Sequence, residues 1–215
     1  MLLTAGPTHE PIDAVLYLAN RSSGRLGLEL AAAAKASGWN VTLLLGPVPL
    51  PPPTGVRTLR FGSTADLARL LKQHFRRCDV LVMAAAVADF RPAGVEAGKL
   101  RRRAACLVLR LEPTPDLVAA CAAHKRAGQM IVGFALEDAA TLQRGALGKL
   151  RRKGMDAVVA NPLGTMGAAR IRATVYTSGG SAVRPPGRRR VGLTKAAFAA
   201  WLVRWIESQV GERET

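Results

Sequence analysis

The sequence predicts an α/β fold: a three-layer, Rossmann-like, doubly wound architecture with a mainly parallel sheet and a small strand-rich excursion. Three observations predict it. Short apolar runs alternate with segments of helical periodicity, as in βαβ units. The run 79–84 is apolar enough to be buried on both faces, which is how parallel strands are placed. And 215 residues, 49% of them hydrophobic, suit one large domain spanning 1–215 better than two independent ones. Aromatic residues are only 5%, so the core has to be built from Ala, Leu and Val.

The elements follow in order. Residues 2–5 read as the first strand, 24–37 as a helix and 40–45 as the second strand. A Pro-rich loop, 47–54, leads to a strand at 56–60 and a helix from Ser63 to about Arg76. Ser63 and Thr64 suit its N-cap, and Asp66 places negative charge in its first turn. The strand 79–84 precedes the excursion, 90–112, whose end at 106–111 is strand-like. A helix at 115–127 opens on Pro. A strand at 130–134, a helix at 137–153 and a strand at 155–160 come next. Beyond Asn161 the chain is rich in Gly and Arg, with one strand at 171–177 and a weak one near Ala182. The last helix, 194–208, carries Phe198, Trp201, Leu202 and Trp205 at helical spacing, the pattern of a packing face.

Charge narrows the partners. Lys and Arg number 31 against 15 Asp and Glu, a formal net charge of +16. That balance favours nucleotides, phosphorylated metabolites or nucleic acid. No apolar run approaches the ~20 residues of a membrane helix, and the start lacks the basic segment of a signal peptide. No membrane partner is expected, and a cytoplasmic location is. Cys78, Cys106 and Cys121 are odd in number and lack the paired spacing of a zinc or redox motif, so reduced thiols are expected. A basic nucleic-acid-binding protein without catalytic activity is the competing reading, using the Arg-rich segments 101–103 and 184–190. Against it, 2 Tyr, 5 Phe and 3 Trp form no aromatic-interleaved basic stripe.

In open α/β sheets ligands bind beyond the carboxyl ends of the strands, which selects the segments to inspect. The first strand runs into Gly6-Pro7-Thr8, and the first helix is preceded by Asn20-Arg21-Ser22-Ser23-Gly24-Arg25-Leu26-Gly27. Gly24 and Gly27 allow backbone to approach a phosphate, and Ser22 and Ser23 can cap the helix or donate to anionic oxygens. An ordinary N-cap explains the same residues. Neither G-x-G-x-x-G nor a P-loop is present, and the second strand ends without an acid for a ribose diol. A nicotinamide-dependent oxidoreductase is therefore disfavoured. The next strand ends Met83-Ala84-Ala85-Ala86-Val87-Ala88-Asp89, small residues then an acid, which suits a ligand-facing backbone or a close packing contact with a turn. Lys99 opens one basic cluster and Lys149 and Lys153, i and i+4, share a face of another. In a chain with 24 Arg and 7 Lys, three lysines in two clusters suggest a preference for a compact ammonium, although a solvated face gives the same pattern.

Taken together, Thr4-Ala5-Gly6-Pro7-Thr8, Glu10-Pro11-Ile12-Asp13, Asn20-Arg21-Ser22-Ser23-Gly24, the run 84–92, Pro113-Thr114-Pro115-Asp116, Val132-Gly133-Phe134-Ala135 and Ala160-Asn161 resemble phosphopantothenoylcysteine synthetase. In bacteria that ligase of coenzyme A biosynthesis usually forms the C-terminal part of a bifunctional flavoprotein. The resemblance covers roughly residues 1–161. It implies CTP activation of 4′-phosphopantothenate through an acyl-cytidylate, release of pyrophosphate, then attack by L-cysteine with loss of CMP. ATP is the alternative nucleotide.

The resemblance further implies that Lys99 serves acyl-nucleotide formation and Asn20 the second half-reaction. It places Gly6, Ser22, Gly24 and Gly27 around the phosphates, and Ala85, Asp89, Pro115, Asp116, Leu117, Val118, Phe134, Lys149 and Lys153 against the nucleotide. Mg²⁺ is expected with CTP, its ligands unassigned, and no flavin is expected in this chain. A homodimer and a separate phosphopantothenoylcysteine decarboxylase are the implied protein partners. Two departures stand out: the lysine-rich loop of the family is here Lys99-Leu100-Arg101-Arg102, and 164–172 has no acid. No site is assigned in the latter, and His9 is read as local structure.

Overall fold

The computed structural model describes residues 1–102, 106–186 and 191–214. Along it run β1 (Leu2–Ala5), the hairpin β2 (His9–Pro11) and β3 (Tyr17–Ala19), α1 (Arg25–Ala36), β4 (Thr42–Leu45), β5 (Arg57–Arg60) and α2 (Thr64–His74). Then come β6 (Val80–Met83), β7 (Phe90–Pro92), β8 (Leu111–Pro113), α3 (Leu117–Ala122), β9 (Met130–Glu137), α4 (Leu142–Arg152) and β10 (Ala157–Pro162). The chain ends with β11 (Arg170–Ile171), β12 (Thr174–Thr177), β13 (Ala182–Val183), β14 (Leu193–Thr194) and α5 (Lys195–Glu214). Among the described residues no helix is long and apolar enough to cross a membrane.

Eight strands form the central sheet in the order β13-β12-β10-β9-β6-β1-β4-β5. The six from β10 to β5 are parallel, and β12 and β13 extend the sheet antiparallel. The chain first adds strands on one side of β1 and then, from β6, on the other, so the winding reverses between β1 and β6. Alternate side chains of each strand enter different cores. Leu3, Leu43, Val82 and Val132 pack with α1 and α5, whose Leu30, Ala31, Phe198 and Leu202 are buried there. Leu2, Leu44, Leu81 and Ile131 pack with α2, α3 and α4 through Leu67, Leu71, Leu117 and Leu150. Both strand faces being apolar is what makes β1, β4 and β6 continuous hydrophobic runs. The expected packing face of the last helix is present: Phe198 and Leu202 are buried, with Trp201 and Trp205 packed against the same core.

Local signals account for α2. Ser63 Oγ accepts from Asp66 N (3.2 Å) while Ser63 N donates to Asp66 Oδ2 (3.1 Å), a closed capping box. Elsewhere pairing overrides pattern. The helix expected at 137–153 starts only at Leu142, because β9 stays paired with β10 as far as Glu137↔Pro162. The helix expected at 115–127 shortens to Leu117–Ala122, capped by Asp116, whose side chain accepts from Ala119 N (3.1 Å). Of the strand expected at 106–111 only Leu111 is in a strand, β8, which runs on to Pro113 and pairs antiparallel with β7. The strand expected at 171–177 splits, Ile171 pairing with β14 and Thr174–Thr177 with β10. The hairpin β2–β3 was not legible; His9 stacks on Tyr17 across it, ring centroids 3.8 Å apart.

Two glycines set how closely the rim loops approach the sheet. A Cβ on Gly46 would overlap the Pro7 carbonyl oxygen and the Phe61 ring. One on Gly27 would overlap Ala5, so the first turn of α1 lies directly on β1. Gly148, inside α4, has open space around it. Denaturant unfolding is expected to show Gly46→Ala destabilised by about 1–3 kcal/mol from overpacking. Gly148→Ala is expected to be stabilised by up to about 1 kcal/mol through helix propensity. Equal midpoints for the two variants would contradict the Gly46–Pro7 contact.

Candidate active site

At the point where the winding reverses, the chain leaving β1 and the chain leaving β6 are sewn together. Ala86 N donates to Gly6 O (2.9 Å) and Thr8 N to Ala86 O (3.2 Å), a one-residue extension of the sheet. Thr4 and Thr8, both fully buried, add hydroxyl acceptors: Ala85 N donates to Thr4 Oγ1 and Ala88 N to Thr8 Oγ1, each at 3.0 Å. Gly6 makes the turn at φ 83, where a side chain is disfavoured. From the far side Thr114 Oγ1 donates to Ala88 O, and Thr114 N to Asp89 O (3.0 Å). Asn20, just after β3, donates its amide to Val87 O (2.9 Å) and Ala86 O (3.3 Å). The segment 84–89 is thus held from three sides, with Ala85 and Asp89 on it.

The start of α1 faces the same rim. Its N-cap is Gly24, at φ 68, with no side-chain cap and no acid in the first turn. Ser22 and Ser23 therefore do not cap the helix; Ser22 Oγ instead accepts from Gly24 N (3.3 Å). A Cβ at Gly24 would crowd Val48, so this turn requires glycine for space as well as for conformation. Gly27 is accounted for by its packing on Ala5. The remaining first-turn N–H groups and the positive end of the helix dipole are free to meet an anion.

Beside the 84–89 segment lies a cleft of about 240 Å³, lined by Met83, Val87, Asp89, Thr114, Pro115, Asp116, Leu117, Val118, Arg152 and Lys153. Six of these were expected from sequence: Asp89, Pro115, Asp116, Leu117, Val118 and Lys153. Lys153 Nζ pairs with Asp116 Oδ2 (3.1 Å), joining the end of α4 to the start of α3. Lys149 sits one turn back and pairs with Glu137 Oε1 (2.7 Å), outside the cleft lining. Phe134 packs on the α1–α5 face of the sheet, away from the cleft face where Ala85 and Val118 pack. Ten of the expected residues thus form a cleft group of six and an anion group of four (Gly6, Asn20, Ser22 and Gly24) that share the 84–89 segment, while Phe134 and Lys149 stand apart from both. The threonines Thr4, Thr8 and Thr114 were not singled out; their signal was their place inside the quoted motifs.

Lys99 is exposed and does not line the cleft. It is bracketed by anchors to the β2–β3 hairpin: Ala14 N donates to Gly98 O (3.1 Å) and Leu100 N to Asp13 Oδ2 (2.7 Å). Asp13 Oδ1 accepts from Val15 N (2.6 Å) and Leu16 N (2.5 Å). The N–H groups of Leu16, Leu100 and Val15 hold the Asp13 carboxyl below its ordinary 3.8, with the Lys99 charge a smaller contribution. Among the described residues no cluster of three or more His, Cys, Asp or Glu could cage a metal ion.

The family model of the DNA/pantothenate metabolism flavoprotein C-terminal domain matches residues 1–209. The chain is 33% identical over 217 residues to the coenzyme A biosynthesis bifunctional protein CoaBC of Vibrio vulnificus strain YJ016, covering 98% of this chain and 52% of that one. It is 42% identical over 169 residues to a cysteine/cysteine sulfinic acid decarboxylase of an unidentified prokaryote, covering 78% and 47% respectively. The chain spans about half the length of the curated relatives it matches. Among solved structures it is similar to the C-terminal domain of a CoaBC protein, with TM-score 0.82 and 33% identity over 98% of this chain and 95% of that one.

The Asp13 anchor titrates. Because its folded pKa is lowered, the anchor is complete above about pH 3.8 and is lost as pH falls through the lowered value. Hydrogen exchange is expected to show the Leu100 amide protected at neutral pH and at least about tenfold less protected in Asp13→Ala, with the central strands unaffected. Unchanged protection in that variant would dismiss the anchor.

Proposed function

This chain belongs to the DNA/pantothenate metabolism flavoprotein C-terminal domain family, and from that membership we propose that it is a phosphopantothenate–cysteine ligase of coenzyme A biosynthesis. In the first half-reaction the carboxylate of 4′-phosphopantothenate attacks the α-phosphorus of CTP, forming an acyl-cytidylate and releasing pyrophosphate. In the second, the amine of L-cysteine attacks the acyl carbon and CMP leaves with the electron pair of the broken anhydride bond.

The observation that carries the reading is the meeting of the uncapped α1 N-terminus with the fixed 84–89 segment at the winding reversal, beside a cleft lined by six expected nucleotide residues. Bringing a carboxylate to a polyphosphate is a problem of charge, and fixed backbone donors solve it without reorganising. In this reading Gly6, Ser22 and Gly24 face the phosphates, and the cleft from Asp89 to Lys153 takes the nucleoside. Asn20 has committed its two amide hydrogens to Ala86 and Val87, leaving its Oδ1 as an uncharged acceptor beside the anhydride. Lys99, carried on an anchored loop, supplies a cation to the first step.

Mg²⁺ enters with the triphosphate. It takes one or two carboxylates and keeps phosphate and water for the rest; Asp89, exposed at the edge of the cleft, would supply one, whereas both oxygens of Asp116 are committed, to Ala119 N and to Lys153. Bound there it would offset phosphate charge. A homodimer is supported by exposed apolar residues on the two small hairpins: Val15, Leu16 and Tyr17 on one, Phe90 and Leu111 on the other, with β2 lying against β7. A strictly monomeric sedimentation profile would count against it. A separate decarboxylase would consume the thiol-bearing product.

Turnover with phosphopantothenate, cysteine and either CTP or ATP, following CMP or AMP and pyrophosphate, tests the reading; no nucleotide-dependent product would end it. Lys99→Gln is expected to slow pyrophosphate release by on the order of 10²-fold, and near-normal release removes Lys99 from the role. In Asn20→Asp a carboxylate faces two carbonyls and the anhydride phosphate. The acyl-nucleotide is expected to accumulate, visible by mass spectrometry, and normal product without it would defeat the assignment.

A further inference from the structure

Lys195, the first residue of α5, is only 8% exposed, yet its ammonium meets no carboxylate and no hydrogen-bond acceptor among the described residues. No side-chain nitrogen or oxygen sealed from solvent lacks a partner, so this ammonium keeps an edge open to water. The charged group that acts on it is another cation, Arg25, the first residue of α1. Burial, then Arg25, push the lysine below its ordinary pKa.

The placement is set by the fold. Lys195 N donates to Ala169 O (3.4 Å), so α5 starts near the chain that has just left the carboxyl end of β10. Trp39, just after α1, donates its indole N–H to Glu207 Oε1 (2.8 Å) late in α5, so the two helices run side by side in the same direction. Both N-termini therefore point to the rim that holds the candidate active site. They differ in one respect: α5 is capped, Thr194 Oγ1 accepting from Ala197 N (3.2 Å), whereas α1 has no side-chain cap and no acid in its first turn.

A lysine packed in along its stem, with an ammonium that meets only water and the field of a second cation, loses hydration without gaining a partner. Two cations next to bare helix N–H groups form a site completed by an anion from outside. We propose that Lys195, with Arg25 and the first turn of α1, binds the pyrophosphate portion of the nucleoside triphosphate. This deepens the ligase reading and rests on it for the identity of the ligand. Lys195 contributes a fixed ammonium from the side opposite the cleft, and Arg25 an exposed guanidinium at the edge.

Calorimetric titration of the full chain with inorganic pyrophosphate and with CTP, alongside melting of the ligand-free protein, tests this. Lys195→Met is expected to weaken pyrophosphate binding at least tenfold and to leave the ligand-free melting temperature equal or higher, since a cation without a partner is removed. Binding within twofold of the original chain overturns the proposal, and so does a lowered melting temperature, which would make the lysine structural. Arg25→Gln, an exposed change that folding tolerates, is expected to weaken pyrophosphate binding severalfold; unchanged binding there overturns the pairing. The two readings fail separately. A chain that binds pyrophosphate through Lys195 but makes no CMP sinks the ligase, and one that makes CMP with binding indifferent to Lys195 sinks this site.

Discussion

The rim of this molecule depends on the stitch between the loops that follow β1 and β6. Two backbone hydrogen bonds through Ala86 and two threonine hydroxyls, Thr4 and Thr8, hold those loops at a fixed spacing. Each such bond contributes about 1 kcal/mol net, but losing one would leave a buried donor unmet and cost more. Buried Glu10 reinforces the stitch from below, its Oε1 accepting from Thr64 Oγ1 (2.7 Å) and Thr64 N (2.9 Å). A carboxylate on the first turn of α2 is doubly favoured, by charge-assisted bonding and by the helix dipole. One acid thus ties the β1 loop to α2 while hydroxyls tie it to the β6 loop.

How far the fold could be read in advance depended on whether a signal was local. The apolar runs of β1, β4 and β6 and the Ser63–Asp66 capping box carry their meaning within a few residues, and they were legible. The end of β9 was not, because Glu137 is held in a strand by pairing with Pro162, twenty-five positions away. The hairpin β2–β3 escaped for the opposite reason: strands of three residues have no periodicity to detect. The same division runs through the site. Asp89, Pro115, Asp116, Leu117, Val118 and Lys153 were found through motif resemblance, and the structure gathers them at one cleft. Thr8 lay inside a quoted motif, but its role did not show there, since the hydroxyl's partner Ala88 is eighty positions away, and Lys195 lay in no motif, its neighbour Arg25 being farther still along the chain.

The large positive charge is unevenly committed. Lys125 is spent on Asp156, where both carboxylate oxygens lie 3.0 Å from its ammonium, and Lys149 and Lys153 each meet an acid. The Lys149 pair braces α4 against β9, the Lys153 pair joins α4 to α3, and the Lys125 pair ties the turn after α3 to the residue before β10. Lys99, Arg25 and Lys195 stand outside such pairs among the described residues, at or near the rim, which separates scaffold cations from those open to a ligand.

The β2–β3 hairpin carries Asp13, which grips the Lys99 loop, at its tip, and Asn20, which grips the β6 loop, just past its base. At about 3.3 Å per residue it is a rod barely 10 Å long. The loop proposed for the opening chemical step and the residue proposed for the closing one therefore share a single short support.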